Sequence, residues 1–228
     1  MAGALRFLLA LVALPVVWGL GAAFLEGLVA GSLEGGLLTA PRLGFGVGAL
    51  AMVALYQWKG RALQIVYVFA HEMTHAAVGL LFFARIRRVS VRATGGFVVL
   101  DRQNWAIALA PYCVPFYLLL ALGLCALTGL CFPDALPFWL WSALFGACTL
   151  FHVLYKLDAL LSVSQPDTHL YGRFFSYWLI LCLNLSFASL ALVLSGMTPC
   201  LDQGARVLRR TAGAYCALAE LLPDRRAR

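Results

Sequence analysis

Long apolar runs, separated by short polar segments, make up most of this sequence. A helix that crosses a bilayer needs about 20 mainly apolar residues, and runs near that length recur along the chain. Because backbone polar groups in lipid must be paired within their own segment, such runs are restricted to helices. The sequence therefore predicts an all-α polytopic membrane protein with about six transmembrane helices, at residues 6–30, 43–57, 62–84, 105–131, 136–161 and 171–196.

The composition supports this class and argues against a nucleic-acid-binding protein. The chain is 63% hydrophobic and 12% charged, whereas soluble domains are about 25% charged. Its formal net charge of +7 comes mainly from basic residues at 85–102 and after 205, a pattern that suits lipid headgroups. No soluble module with a basic groove accompanies this charge, so we expect contact with the lipid bilayer and no nucleic-acid partner. The first apolar run begins like a secretory signal but continues to about residue 25, which favours a retained span.

Two segments depart from the apolar pattern. The stretch "ARIRRVSVRATGGFVVLDRQNW" follows the third predicted span, and its two β-rich runs flank "TGG". A glycine turn between such runs predicts a short β-hairpin, with the turn at Gly95 and Gly96. The tail at 200–228 has apolar residues at helical spacing and arginines on the other side, which predicts a basic amphipathic helix at the membrane surface. Residues 1–199 are expected to form one membrane-embedded domain.

The third predicted span contains His71, Glu72 and His75, which spell HExxH. Residues four apart share one face of a helix, so both imidazoles can bind one zinc ion while Glu72 lies beside it. Zinc lowers the pKa of its water to about 7, and a carboxylate at the position of Glu72 takes the proton before the hydroxide attacks a carbonyl. Ionisable groups inside spans are costly and mark functional sites, which favours one catalytic Zn²⁺ per chain over two histidines that merely pack between helices.

A hydrolytic zinc site takes three protein ligands and keeps one position open. An aspartate would remove one of the two positive charges of the ion in an apolar setting, whereas a neutral histidine would not. Asp167 also has the spacing of a capping box with Ser164, so capping a helix competes with ligation at this residue. From the residues alone the third ligand therefore stays open between four candidates: Asp167, Asp158, His152 and His169.

The segment "HEMTHAAVGLLFFARIRRVSVRATGGFVV", residues 71–99, resembles the HExxHAxxG helix and glycine-bearing hairpin of the site-2 protease family of intramembrane metalloproteases, particularly its small bacterial branch. The similarity continues through "LAPYCVPFY" to "SVSQPDTHLYGRFFSYW" and covers about residues 60–180, the expected core of the domain. Here "QPD" stands where the family usually has "LDG". The resemblance implies Asp167 as the third zinc ligand, beside His71 and His75.

The same resemblance implies a zinc metalloendopeptidase of the bacterial cytoplasmic membrane that cleaves peptide bonds within or near transmembrane segments. It also implies a membrane-protein substrate held as an extended strand beside residues 88–99, a form of strand addition at an exposed edge. Two alternatives stay open. One is a zinc-binding scaffold or regulator without turnover. The other is a CAAX-prenyl-type membrane metalloprotease, which takes a downstream glutamate as third ligand, and the only such residue here is Glu220.

Overall fold

The computed structural model describes residues 2–34, 38–92, 94–132, 136–162 and 166–220. Within these ranges the chain is mostly helical and carries one two-stranded antiparallel sheet. The elements in chain order are α1 (Ala2–Val12), α2 (Leu14–Glu34), α3 (Ala40–Leu81), β1 (Ile86–Arg92), β2 (Gly95–Leu100), α4 (Trp105–Cys113), α5 (Phe116–Cys131), α6 (Phe138–Ser162), α7 (Pro166–Leu170), α8 (Arg173–Leu194) and α9 (Cys200–Glu220).

Three helical segments of the described chain are long and apolar enough to cross a membrane: Leu14–Leu33, Phe138–Leu161 and Arg173–Leu194. Helices α4 and α5 qualify together as a fourth span, although the chain bends by 75° between them. Pro115 stands at this bend, where a proline cannot donate the backbone hydrogen bond that would continue the helix. The structure thus supports three or four spans of a membrane protein, and the predicted count of six is not confirmed.

Helix α3 contains the second predicted span and most of the third, which was predicted to continue to residue 84. Its backbone leaves helical geometry at Lys59, with φ −128° and ψ 19°. Before this break, Gly44 and Gly48 lie against the carbonyls of Trp139 and Ala143 in α6. The first arm of α3, residues 40–58, therefore runs along α6 in the same direction as α6.

The second arm of α3, residues 60–81, runs back along α6 in the opposite direction. Tyr67 stacks on Tyr155 with 5.6 Å between ring centroids, and further along the arm His71 borders a small cavity together with His152. The hydroxyl of Tyr155 donates to the carbonyl of Gly60 over 2.8 Å, beside the break. The chain therefore reverses at Lys59, and α3 consists of two antiparallel arms packed on α6.

The predicted hairpin is confirmed, with a correction to its turn. Strand β1 pairs with β2 in antiparallel register, and both strands pack against α3. Gly95 and Gly96 were predicted to form the turn, but they begin β2, where they pair with Arg92 and Val91. Gly95 has a φ of 143°, which a residue with a Cβ rarely adopts. The glycines thus shape the start of the second strand.

The base of the hairpin is closed by Asp101. The backbone N–H of Arg85 donates to Asp101 Oδ1 over 2.7 Å, and this hydrogen bond holds the pKa of the Asp101 carboxyl below its usual range. The carbonyl of Arg85 in turn accepts from the N–H of Asp101 over 3.2 Å. These bonds fix the hairpin to the chain that leads into α4.

The C-terminal tail is helical from Cys200 to Glu220, as its spacing predicted, and residues 221–228 lie outside the described ranges. Sequence reasoning did not anticipate that α9 packs along α2. There Glu26 accepts a hydrogen bond from Arg210 over 2.7 Å and forms wider ion pairs with Arg206 and Arg209. A Cβ on Gly27 would overlap the side-chain oxygen of Gln203, so this side chain packs directly on the backbone of α2. The position of α9 relative to a membrane surface stays a prediction.

Candidate metal centre

The second arm of α3 and the short helix α7 bring three predicted ligands together. One potential ligand atom from each of His71, His75 and Asp167 lies within 4.8 Å of the other two. The closest recorded pair is His75 Nε2 and Asp167 Oδ2, at 3.6 Å. Within the described ranges this trio is the one group whose spacing suits a metal ion.

The hydrogen bonds of His75 fit metal ligation. Its Nδ1 lies 2.8 Å from the carbonyl oxygen of Ile107, and because a carbonyl only accepts, Nδ1 carries the proton. Nε2 is then the basic nitrogen, on the side that faces Asp167. Histidines that bind metals commonly donate their other ring N–H to a backbone carbonyl in this way. Ile107 is itself held in the first turn of α4, since its N–H donates to the side chain of the capping residue Asn104 over 2.9 Å.

Tyr112 supports two of the three predicted ligands and was not singled out from the sequence. It is fully buried, and its hydroxyl donates to Asp167 Oδ2 over 3.4 Å. Its ring packs edge-on against His71, with 5.2 Å between centroids. The only sequence signal was its place in "LAPYCVPFY", a segment already included in the family resemblance. Ser164, the proposed capping partner of Asp167, lies outside the described residues.

Glu72 stands beside the ligand trio and outside it. Glu72 is only 5% exposed, and the hairpin packs directly against its side chain. A Cβ placed on Gly96 would be 2.7 Å from Glu72 Cγ and 2.7 Å from the carbonyl oxygen of Ser90. Gly96 thus allows strand β2 to approach the predicted catalytic carboxylate. The sequence had predicted that this glycine forms the turn of the hairpin.

A cavity of about 590 Å³ connects these groups. Its lining includes the three predicted ligands, Glu72 and the start of β2. In the described chain β2 pairs only with β1, so its outer edge has no partner strand. The lining residues that belong to the hairpin are Thr94, Gly95, Gly96, Phe97, Val98 and Leu100. The arrangement offers an unpaired strand edge in the same cavity as the predicted metal ligands.

The other candidate ligands lie outside the trio. Asp158 lines the same cavity and also a neighbouring cavity beside the break in α3. His169 occupies the same short helix as Asp167, where its Nδ1 lies 3.5 Å from a guanidinium nitrogen of Arg173. Glu220 ends α9, which packs on α2. Glu220 is therefore not part of the trio that the described residues form.

His152 lies behind His71 rather than beside the cavity of the trio. Both histidines and Tyr67 border a separate space of about 10 Å³, close to the volume that one buried water needs. Three buried polar atoms at these residues have no hydrogen-bond partner among the described residues: Tyr67 Oη, His71 Nδ1 and His152 Nε2.

The chain matches no protein-family model, no curated protein and no solved structure. The resemblance to site-2 proteases therefore depends on the HExxH helix, the hairpin and the segment around Asp167. The convergence of His71, His75 and Asp167 is a feature of the folded chain that the motifs by themselves do not contain.

Proposed function

We propose that the protein is a membrane-embedded zinc metalloendopeptidase that hydrolyses peptide bonds within or near transmembrane segments of membrane proteins. The observation that carries this proposal is the convergence of His71, His75 and Asp167, with ligand atoms within 4.8 Å of one another, next to the carboxylate of Glu72. Two histidines of an HExxH helix and one carboxylate are a ligand set of zinc hydrolases, which leave one coordination position open.

The proposal includes one Zn²⁺ per chain and a division of work among the residues around it. When bound, zinc supplies Lewis-acid chemistry, which acidifies a water molecule and polarises a carbonyl group. Glu72 accepts the proton of the attacking water and passes it to the leaving amine. The carbonyl of Ile107 orients His75, and the hydroxyl of Tyr112 orients Asp167, so the ligands are held before substrate arrives.

We further propose that the substrate binds as an extended strand along the free edge of β2. An unpaired edge presents backbone donors and acceptors to an incoming peptide, which needs no particular side chains to form the ladder. The position of residues 94–98 in the wall of the same cavity supports this arrangement. It would place a backbone carbonyl of the substrate between β2 and the metal ligands.

A six-span, multi-pass topology in a bacterial cytoplasmic membrane also belongs to the proposal. Its support is the reversal of α3 at Lys59, which gives two antiparallel arms where the sequence predicts the second and third spans. Together with α2, the bent pair α4–α5, α6 and α8, these arms give six segments. The bacterial location depends on the family resemblance alone.

The test compares zinc content and proteolysis in detergent-purified protein. Glu72→Gln is expected to retain zinc and lose cleavage of a candidate membrane-protein substrate, because the carboxylate moves protons without binding metal. His71→Ala and His75→Ala are expected to lose both. Asp202→Asn, at an exposed acid in α9, serves as a matched control and should behave as wild type.

Three results would separate the alternatives. Cleavage by Glu72→Gln at the wild-type rate would show that the mechanism is wrong. Zinc in the wild-type protein without cleavage of any tested substrate would favour the scaffold or regulator. Wild-type protein that binds no zinc would leave the two histidines with a packing role.

A further inference from the structure

A second large cavity lies between α2, the first arm of α3, α6 and α8. Its volume is about 580 Å³, within the range of about 300–1,000 Å³ that is usual for small-molecule sites. On α8 its lining extends from Leu181 to Ser195, about 21 Å of helix at 1.5 Å per residue. None of His71, His75 and Asp167 is among the described residues that line it. The cavity is therefore elongated and distinct from the metal centre.

Most of the cavity wall is hydrocarbon. Its apolar side chains come from all four helical segments and from the start of α5: Phe24, Leu28, Phe45, Leu118, Val153, Leu181, Leu185, Phe187, Ala188, Ala191 and Leu192. An acyl chain of one bilayer leaflet reaches about 15 Å, half of a hydrocarbon core of about 30 Å. The length of the cavity is sufficient for one such chain with a polar group at its end.

The charge of the cavity is unbalanced. Among the described residues, Lys156 and Arg42 line it, and no aspartate or glutamate does. Lys156 is only 5% exposed, its ammonium donates to the neutral amide oxygen of Asn184, and it forms no ion pair with a described carboxylate. Buried charges in apolar surroundings are normally paired. An anion is the partner that this ammonium lacks.

Arg42 differs from Lys156 because its guanidinium is already engaged. It donates to the carbonyls of Gly31 and Gly196, over 2.9 Å and 3.0 Å, and these bonds tie the start of α3 to the ends of α2 and α8. Lys156 lies far from this point, near the other end of the cavity. The two ends are therefore chemically different, and only the Lys156 end lacks a strong acceptor.

Other polar groups of α6 line the cavity: His152 lies about one helical turn from Lys156, and Thr149 lies about two turns from it. Thr149, His152 and Lys156 are spaced along one face of α6, and all three line the cavity with Asn184. The hydroxyl of Thr149 is buried and has no hydrogen-bond partner among the described residues. A polar pocket with a cation thus closes one end of a long apolar slot, which is the shape and chemistry of a site for an amphiphile.

We propose that this cavity binds one long-chain fatty acid, with its carboxylate at Lys156 and its chain along α8 toward Ser195. A carboxylate accepts strong, charge-assisted hydrogen bonds from an ammonium, and the buried pair replaces an uncompensated charge. A phospholipid carries two chains, whereas the slot has the dimensions of one. The site is independent of the metal centre and of the proposed peptidase activity.

The test uses the full chain, purified and delipidated in detergent, with radiolabelled oleate as the probe. We expect one oleate per chain, bound at least ten-fold more tightly than oleyl alcohol, which has the same chain without the charge. Lys156→Met should abolish this preference, and Lys156→Arg should keep it. Lys59→Met, a matched removal of a lysine that lies outside the cavity, should not change it. Ala188→Trp should block the slot and prevent binding of both compounds.

Circular dichroism and gel filtration establish that each variant is folded before binding is measured. Equal affinity for oleate and oleyl alcohol would overturn the proposal, as would full oleate preference in Lys156→Met. Tighter binding of phosphatidylglycerol than of oleate, with the same dependence on Lys156, would show that the occupant is a two-chain lipid and would also overturn it.

Discussion

Replacing Gly96 with alanine tests how closely the hairpin is fitted to the candidate site. The new Cβ would lie 2.7 Å from Glu72 Cγ and 2.7 Å from the backbone oxygen of Ser90. Ordinary carbon contacts lie at about 3.5–4.0 Å, so the atoms must separate by about 1 Å. Ser90 belongs to the paired strand and cannot rotate away, which leaves displacement of Glu72 or of the hairpin itself.

Both displacements have measurable costs. Overpacking of this kind typically destabilises a protein by about 1–3 kcal/mol, and a shift of about 1 Å in a catalytic group costs about 100-fold in rate. We therefore expect Gly96→Ala to lower the thermal unfolding midpoint and to reduce cleavage by about that factor. Zinc content should be unchanged, because the three atoms nearest to the new Cβ belong to Glu72 and Ser90 and not to the proposed ligands.

Gly123→Ala is the matched control, since a Cβ there would have no neighbour within 4 Å. Within a helix this change usually stabilises by about 0.5–1 kcal/mol, so its unfolding midpoint should equal or exceed that of wild type. The measurements are thermal unfolding in detergent, zinc by mass spectrometry and cleavage of the candidate substrate. A Gly96→Ala protein with wild-type stability and wild-type rate would refute the close fit.

Three further predictions concern the ligand, the strand edge and the hairpin base. Asp167→Ala should lose zinc while the protein still folds, and Asp158→Ala should keep it; the reverse result in a zinc assay would move the site to α6. Val98→Pro removes a backbone donor and should impair cleavage more than zinc binding, so equal activity at normal expression would argue against substrate pairing with β2. The folded chain lowers the pKa of Asp101, so its bond to the Arg85 N–H stabilises the hairpin above the usual pKa of an aspartate and is lost as the pH falls through the lowered value. Hydrogen exchange of the Arg85 amide should therefore show less protection at pH 2 than at pH 6, after correction for the intrinsic rate, and equal protection would contradict this reasoning.

Local patterns were enough to predict the parts of the candidate site that depend on spacing. His71 and His75 share a helix face because of helical periodicity, and the hairpin follows from β-rich runs around glycine. The choice of Asp167 as third ligand depended on the family resemblance, because helix capping and zinc binding both favour an aspartate at this position. Its approach to His75 depends on how α7 packs against α4 and α8, which no local pattern contains.

The features that sequence reasoning missed all depend on contacts between distant residues. Tyr112 bonds to Asp167, which is 55 positions away in the sequence, and the apolar residues around Tyr112 give no sign of this contact. Gly96 was predicted to be a turn residue because glycine is common in turns. In the structure, a glycine is needed there because a Cβ would overlap the side chain of Glu72. The packing of α9 on α2 had no signal in either helix alone, since basic residues near a span are also expected at a membrane surface.

The pairing of α2 with α9 has a consequence for the order of assembly. Glu26 and Arg210 are 184 positions apart, so one of the earliest helices to leave the ribosome meets its partner only after nearly all the other helices have been made. Until then its carboxylate lies in an apolar helix without a cation, and its Gly27 face is uncovered. Contacts this distant in sequence close late in folding. The bundle is therefore complete only after α9 has been translated, and a nascent chain arrested before that helix would leave the Glu26 carboxylate without its arginine partners.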